Sequence, residues 1–98
     1  ELVLNNGVLG MVRQWQKLFY NNHFSQTTLE KSTDFELLGK ALGIEAFTIT
    51  KKSEVKQTLE KAIALNKPVL INCVIDQDIN VLPMVPANAS IAEPILDF

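Results

Sequence analysis

The 98 residues are 47% hydrophobic and 20% charged, a composition typical of one small globular domain and not of a disordered tail. The formal net charge of -2, with nine lysines and arginines scattered along the chain, argues against a nucleic-acid surface. No apolar run approaches the roughly 18 to 20 residues that cross a bilayer, so we expect no membrane segment. A chain this short buries only about 60 to 65% of its unfolded surface, so support from other protein is expected.

The first two predicted elements surround a turn. Residues 1–4 are apolar and compatible with a strand, and Asn5, Asn6 and Gly7 then favour a turn. Because the strand begins without any lead-in, we expect the chain to be a piece of a larger protein. Residues 10–20 are predicted to form a helix of about three turns, since apolar residues recur on one face. That apolar face consists of Met11, Val12, Trp15, Leu18 and Phe19.

The second half of the chain alternates helices with strands. A helix is predicted over residues 34–42, with Thr33 and Glu36 as a capping box and Gly43 as its stop. A strand over 44–50 and a helix over 54–65, capped by Ser53, come next. The apolar run after Pro68 is predicted to be a strand covered on both faces.

This order of elements predicts an α/β fold that is part of a doubly wound parallel sheet, with about three strands and three helices. Three strands are few for such a sheet. Residues 1–78 are therefore interpreted as a partial domain. Residues 79–98 are predicted to be an extended C-terminal tail that packs on the rest of the larger protein, since they are apolar but show no helical or strand period.

Few residues point to chemistry from their type and spacing alone. Asn6 follows a strand at the edge where α/β sheets bind ligands, and its amide oxygen suits a hard cation such as Mg²⁺. A glycine-containing turn that leads into a helix adds N–H groups that favour an anion. The same residues also form ordinary turns, which is the commoner case. By the same reasoning Trp15 is more often a core residue than a substrate contact. His23 is expected at the surface, and Cys73 as a buried, inert thiol.

Three separated motifs carry a resemblance that covers essentially the whole chain. They are "LNNGVLGMVRQWQKLFY", "DFELLGKALG" and "VLPMVPANAS", in that order. Together they resemble the C-terminal part of the catalytic subunit in the acetolactate synthase family, whose members depend on thiamine diphosphate. The paired asparagines are shared by thiamine diphosphate enzymes in general, whereas "GMVRQWQ" with "LPMVP" is characteristic of this family.

The resemblance implies roles for individual residues. Asn6 matches the second asparagine of the family's metal motif and would bind Mg²⁺ with its side chain, and the backbone carbonyl of Val8 would be a second ligand. Trp15 matches a tryptophan that narrows the substrate channel and favours 2-ketobutyrate as acceptor. The tail matches a segment that closes over the active site. Residues implied to line the cofactor are Leu9, Gly10 and Met11.

The resemblance also implies what lies outside the chain. The Gly-Asp-Gly half of the metal site, the activating glutamate and the FAD-binding domain are all absent from the 98 residues. No catalytic residue is therefore assigned within this chain, and the isolated chain is expected to be inactive. Implied partners are the remainder of the catalytic subunit, a second copy in a homodimer or higher oligomer, and a regulatory small subunit. The implied location is the cytoplasm of a bacterium, or a plastid or mitochondrion in a eukaryote.

The implied reaction decarboxylates pyruvate and transfers a hydroxyethyl unit to pyruvate or 2-ketobutyrate, in the biosynthesis of valine, leucine and isoleucine. Two alternatives remain open. One is another thiamine diphosphate-dependent carboligase or decarboxylase that uses the same half-domain. The other is a non-catalytic α/β interaction module, in which the asparagine pair is only a turn and the apolar tail is a docking segment.

Overall fold

The computed structural model of this protein describes residues 1–31 and 33–98. In this part of the chain, the strands are β1 (Leu2–Asn5), β2 (Glu45–Ile49) and β3 (Val69–Val74). The helices are α1 (Gly10–Phe19), α2 (Phe35–Ala41) and α3 (Val55–Ala64), and a 3₁₀ turn over Lys52–Glu54 leads into α3. The predicted α/β fold and all six predicted elements are therefore confirmed, with boundaries that differ by one or two residues.

The described residues form two compact units. The first contains Glu1–Gly7 and Glu30–Asp76, and the second contains Val8–Leu29 and Gln77–Phe98. The first unit holds the whole sheet together with α2 and α3, and the second holds α1 and the C-terminal tail. Among the described residues, no helix is both long enough and apolar enough to cross a bilayer.

The three strands of the first unit are parallel and lie in the order β1-β3-β2. This order places the apolar run of β3 in the centre, where it pairs with both neighbours. Val3 and Thr48 lie on either side of Asn72 in this register. Because all three strands run the same way, their carboxyl ends meet at one edge of the sheet, which is the edge where such folds bind ligands.

The core of the first unit is small. Its buried apolar residues are Ala46, Ile49, Leu70 and Ile71. The prediction that β3 is covered on both faces is only partly met, because Val74 is 48% exposed and Cys73 is half-buried. The helix α2 packs on β2 and β3, whereas α3 makes its main sheet contact with β2, so one face of β3 is thinly covered within this chain.

Two helix starts differ from the predicted ones. The N-cap of α2 is Asp34, not Thr33, and its carboxylate accepts from the Leu37 N–H at 2.9 Å. A carboxylate is a strong acceptor at a helix N-terminus, which explains why it replaces the hydroxyl of the preceding residue. Ser53 lies inside the 3₁₀ turn and does not cap α3; the Glu54 carboxylate instead accepts from the Thr50 and Lys51 N–H groups, each at 3.1 Å.

Helix α2 lies very close to the sheet at Gly39, which is buried. A Cβ atom added there would lie 2.6 Å from the Cβ of Ala46 and 3.4 Å from the Cβ of Leu70. Neither neighbouring atom belongs to the free end of a flexible side chain. The glycine is therefore required by packing, because any side chain would push α2 away from β2.

Gly39→Ala is expected to destabilise the protein by about 1 to 2 kcal/mol. Overpacking costs about 1 to 3 kcal/mol, and the better helix propensity of alanine offsets up to about 1 kcal/mol of this. Urea unfolding curves of the two proteins measure the difference. The double variant Gly39→Ala with Ala46→Gly is expected to recover part of the loss, since it removes the clashing atom. Equal unfolding midpoints for wild type and the single variant would contradict the close approach.

Candidate functional site

The turn after β1 is shaped by its own side chains. The Asn5 Oδ1 atom accepts a hydrogen bond from the Gly7 N–H at 3.1 Å, and Gly7 has a φ of +66°. Glycine adopts this left-handed conformation without steric cost, so the sequence Asn-Asn-Gly fits the turn. The carbonyl of Asn5 accepts from the Ile75 N–H at 3.0 Å, which ties the turn to the end of β3. Asn6 therefore lies at the carboxyl edge of the sheet, as predicted.

A cavity of about 690 Å³ opens beside this turn, within the first unit. Its lining combines the turn with the ends of β1 and β3, the residue Thr48 of β2, and one side of α2. The polar lining residues are Asn5, Asn6, Thr33, Asp34, Glu36, Lys40, Thr48 and Asn72. A polar cavity at the carboxyl edge of a parallel sheet is the usual setting of a ligand site in this fold class.

The charges along one wall of this cavity are paired. Glu36 accepts from the Lys40 Nζ at 2.9 Å and from the Thr48 Oγ1 at 2.7 Å. These hydrogen bonds, that of Lys40 first, hold the pKa of Glu36 below its usual value, and the same pair raises the pKa of Lys40. Both groups are therefore ionised at neutral pH, and their opposite charges compensate each other at the wall.

One polar atom of the cavity lining has no hydrogen-bond partner within the described part of the chain. It is the Oδ1 of Asn72, which is buried in the central strand. Buried acceptors are nearly always paired, so this atom marks a place beside the cavity where the described residues leave one hydrogen bond unmade. Sequence reasoning did not single out Asn72, because an asparagine within an apolar run gives no signal of its own.

The side-chain oxygen that this turn offers is a suitable ligand for a hard cation. Asn6 is half-buried and offers an amide oxygen, which is a ligand type that Mg²⁺ accepts together with water and phosphate oxygens. Among the described residues, no group of three His, Cys, Asp or Glu side chains is arranged to hold a metal ion. Asn6 could thus provide one ligand, and the others must come from backbone, cofactor or further protein.

The remaining predicted site residues belong to the second unit. Val8 is buried, with 6% exposure, and forms an antiparallel bridge with Thr28. The Leu9 N–H donates to the Thr27 carbonyl at 2.8 Å, so it is not one of the N–H groups that the sequence predicted for an anion at this turn. Leu9 and Met11 have exposed side chains, at 46% and 47%.

Most of the face of α1 that the apolar pattern predicted to be buried is exposed, and the remaining residue of that face, Leu18, is half-buried. Met11, Val12, Trp15 and Phe19 are between 42% and 51% exposed, whereas the buried residue of this helix is Gln14, at 4%. The core interpretation of Trp15 is therefore wrong within this chain. A periodic apolar face shows that a helix is covered in its final state, and it cannot show whether the covering residues belong to the same chain.

Trp15 lies on a small apolar pocket in the second unit. Its ring meets that of Phe19 edge to face, with centroids 5.4 Å apart and planes inclined at 78°. The pocket has a volume of about 210 Å³ and is lined by Trp15, Phe19, Tyr20, Pro86 and Ala87. Helix α1 provides one wall and the tail provides the other, which makes this a suitable surface for a small, weakly polar group.

Comparisons with known proteins agree with this picture. The family model described as "Thiamine pyrophosphate enzyme, C-terminal TPP binding domain" matches residues 2–73. The chain is 42% identical over 92 residues to the acetolactate synthase isozyme 2 large subunit of Escherichia coli (strain K12), covering 94% of this chain and 17% of the relative. It is 44% identical over 93 residues to the acetolactate synthase large subunit of Corynebacterium glutamicum, covering 90% of this chain and 15% of the relative.

An archaeal relative extends the comparison. The probable acetolactate synthase large subunit of Methanocaldococcus jannaschii is 40% identical over 96 residues, which cover 95% of this chain and 16% of the relative. The chain thus spans about a sixth of the length of the relatives it matches. The resemblance seen in the sequence is confirmed, and the chain belongs to the family of C-terminal TPP-binding domains of thiamine pyrophosphate enzymes.

Proposed function

We propose that this chain is the C-terminal part of the catalytic large subunit of an acetolactate synthase. The complete enzyme would decarboxylate pyruvate and transfer the two-carbon unit to a second pyruvate or to 2-ketobutyrate. The observation that carries this proposal is the Asn5-Asn6-Gly7 turn at the carboxyl edge of the sheet, beside a polar cavity. The identity of the relatives supports it, since they are acetolactate synthase large subunits.

Thiamine diphosphate, when bound, supplies stabilisation of the carbanion that decarboxylation creates. The residues of this chain would bind and orient. The Asn6 side chain and the Val8 carbonyl would hold Mg²⁺, while Leu9, Gly10 and Met11 would contact the cofactor. Amide and carbonyl oxygens are ligand types that would suit a hard cation such as Mg²⁺. None of these groups is proposed to exchange a proton with the substrate.

The apolar side chains exposed on this chain support the proposal that the rest of the subunit packs against them. Leu2 and Leu4 are 45% and 65% exposed on one face of β1, and Ile63 of α3 is 78% exposed. Monomeric proteins rarely leave large contiguous apolar patches in water. We propose that the remainder of the catalytic subunit covers these side chains, with residues 1–78 as part of its cofactor-binding domain and 79–98 as its tail.

The remaining parts of the assembly belong to the same proposal. The complete subunit would bind FAD in a domain outside this chain, and a homodimer would bring the activating glutamate of one copy to the cofactor of the other. A regulatory small subunit would associate with this catalytic core. The enzyme would serve the biosynthesis of branched-chain amino acids, in the cytoplasm of a bacterium or in a plastid or mitochondrion.

Product analysis of the full-length subunit tests this function. With thiamine diphosphate, Mg²⁺ and FAD, it is expected to form acetolactate from pyruvate, and acetohydroxybutyrate when 2-ketobutyrate is added. The isolated 98-residue chain is expected to form neither product. Release of acetaldehyde alone would favour a different thiamine diphosphate enzyme. Failure of the full-length protein to bind the cofactor would favour a non-catalytic module.

A further inference from the structure

The one buried polar side chain of α1 forms hydrogen bonds with the backbone of the C-terminal tail. The Gln14 Oε1 accepts from the Val81 N–H at 2.7 Å, and the Gln14 Nε2 donates to the Val81 carbonyl at 3.0 Å. The same nitrogen lies 3.4 Å from the Sδ of Met84, to which it donates its second hydrogen. The side chain is 4% exposed and uses its full donor set together with its acceptor.

This contact fixes the tail more specifically than apolar packing can. The Gln14 carboxamide donates to the carbonyl and accepts from the N–H of the same residue, as a neighbouring β-strand would. It therefore binds the backbone of the tail at one position only. If the tail slid by one residue, the buried Gln14 would lose its partners, and a buried unpaired amide is costly. Gln14 therefore sets which tail residue lies against the middle of α1.

A second contact, made by the adjacent residue of the helix, supports the same alignment. The Arg13 Nε donates to the Asp78 Oδ1 at 2.8 Å, and the Arg13 guanidinium lies 4.0 Å from the centre of the Phe24 ring. This ion pair holds the pKa of Asp78 below its usual value. Asp78 is half-exposed, however, so the pair adds little to stability, and the buried Gln14 carries the alignment.

The alignment matters because the tail residues beyond Val81 shape the apolar pocket. Met84 pairs with Ile95 through two backbone hydrogen bonds of 3.0 and 2.8 Å, which folds the tail back on itself. Pro86 and Ala87 then form the wall that faces Trp15 and Phe19 across the apolar pocket. The position of this wall depends on where the tail is held, and the buried Gln14 side chain holds it at Val81.

We propose that Gln14 is a positioning residue for acceptor choice: its bonds to Val81 set the distance between Pro86 and Ala87 of the tail and Trp15 of α1. This inference rests on the proposed function, since it assigns the pocket beside Trp15 to the acceptor. Gln14 itself touches neither substrate nor cofactor. It acts through the tail, by fixing the width of a pocket that distinguishes a methyl from an ethyl group.

The test compares two glutamines of the same helix in the full-length enzyme. Gln14→Met keeps the size of the side chain and removes both bonds to Val81. Gln16→Met is the matched control, because Gln16 holds Ser25 and Thr27, at 3.0 to 3.2 Å, and does not hold the tail. Hydrogen exchange is measured on peptides that cover 79–85 and 24–28. The product ratio is measured with pyruvate and 2-ketobutyrate in competition.

Gln14→Met is expected to accelerate exchange at the Val81 amide about tenfold, because it removes the part-buried hydrogen bond that this amide donates to Gln14. It should also lower the ratio of acetohydroxybutyrate to acetolactate. Gln16→Met should accelerate exchange only in 24–28 and leave the ratio unchanged. A purely structural role of Gln14 would reduce both products together, because the ratio does not depend on the amount of active enzyme.

The outcomes separate this inference from the proposed function. An unchanged rate of hydrogen exchange at Val81 in Gln14→Met would show that Gln14 does not hold the tail. Faster exchange with an unchanged product ratio would overturn the role in acceptor choice. If wild type forms no acetolactate at all, the proposed function fails first, and the exchange data alone then decide whether Gln14 holds the tail.

Discussion

Asn6→Ala in the full-length subunit is expected to raise the dissociation constant of thiamine diphosphate in the presence of Mg²⁺ by about 10-fold to 100-fold or more. Loss of a residue that only hydrogen-bonds to a metal ligand already lowers metal affinity by this factor, and Asn6 is proposed to be a direct ligand. The cause would be the loss of one oxygen from the metal, since Asn6 lies at the carboxyl edge of the sheet on the lining of the polar cavity. Titration of the cofactor at fixed Mg²⁺, followed by intrinsic fluorescence or calorimetry, measures the affinity.

Two further variants isolate the contribution of the ligand oxygen. Asn6→Asp keeps an oxygen in place and should retain much of the Mg²⁺-dependent affinity. Asn66→Gly removes an amide at the end of α3, before β3 begins, where a φ of +46° suits glycine. It is expected to leave cofactor binding unchanged. Equal affinities in wild type and Asn6→Ala would remove Asn6 from the metal site, and equal losses in all three variants would point to general destabilisation.

The fold could be predicted well from the sequence because its signals are local. A run of β-branched and apolar residues between turns marks each strand, and Gly43, with its positive φ, follows α2 where this residue type predicted the end of the helix. The capping box at Thr33 was wrong for an equally local reason. Asp34 is the next residue and a stronger acceptor, and sequence spacing alone does not decide between two adjacent caps.

The candidate site was less predictable, because it depends on what covers each surface. Asn6 could be placed from the strand that precedes it, since the end of a parallel strand has a known position. The burial of α1 was inverted, with Gln14 inside and Trp15 outside, because the pattern reports an apolar face and not its partner. Asn72 was missed altogether, since its significance lies in an unpaired atom within a strand that looks uniformly apolar.

The exposed side chain of Trp15 is consistent with its proposed role in acceptor choice. A tryptophan that packs in its own domain should be covered, and Trp15 is 42% exposed on a pocket of about 210 Å³. Such a ring is available to narrow a channel in the complete enzyme. The edge-to-face contact with Phe19 limits its movement, so the ring can act as a fixed wall.

Trp15→Leu in the full-length enzyme is expected to lower the preference for 2-ketobutyrate over pyruvate by about tenfold or more. A single methylene in a fitted apolar pocket is worth about 10-fold to 200-fold in selectivity, and the smaller leucine removes the wall that such a fit needs. The ratio of the two products, measured with both acceptors present at several ratios, gives the preference directly. The rate of pyruvate consumption should fall much less, because the ring is not proposed to take part in decarboxylation.

Phe24→Leu is the matched control for this experiment. Phe24 is also an aromatic residue of the second unit and is also 42% exposed, but it lies against the Arg13 guanidinium and does not line the pocket beside Trp15. Its replacement also removes an aromatic ring, as Trp15→Leu does, but it should leave the product ratio unchanged. An unaltered ratio in Trp15→Leu would show that Trp15 only packs against the rest of the subunit. A shift of the same size in both variants would assign the effect to a general disturbance of the second unit, because loss of either aromatic ring would then be sufficient.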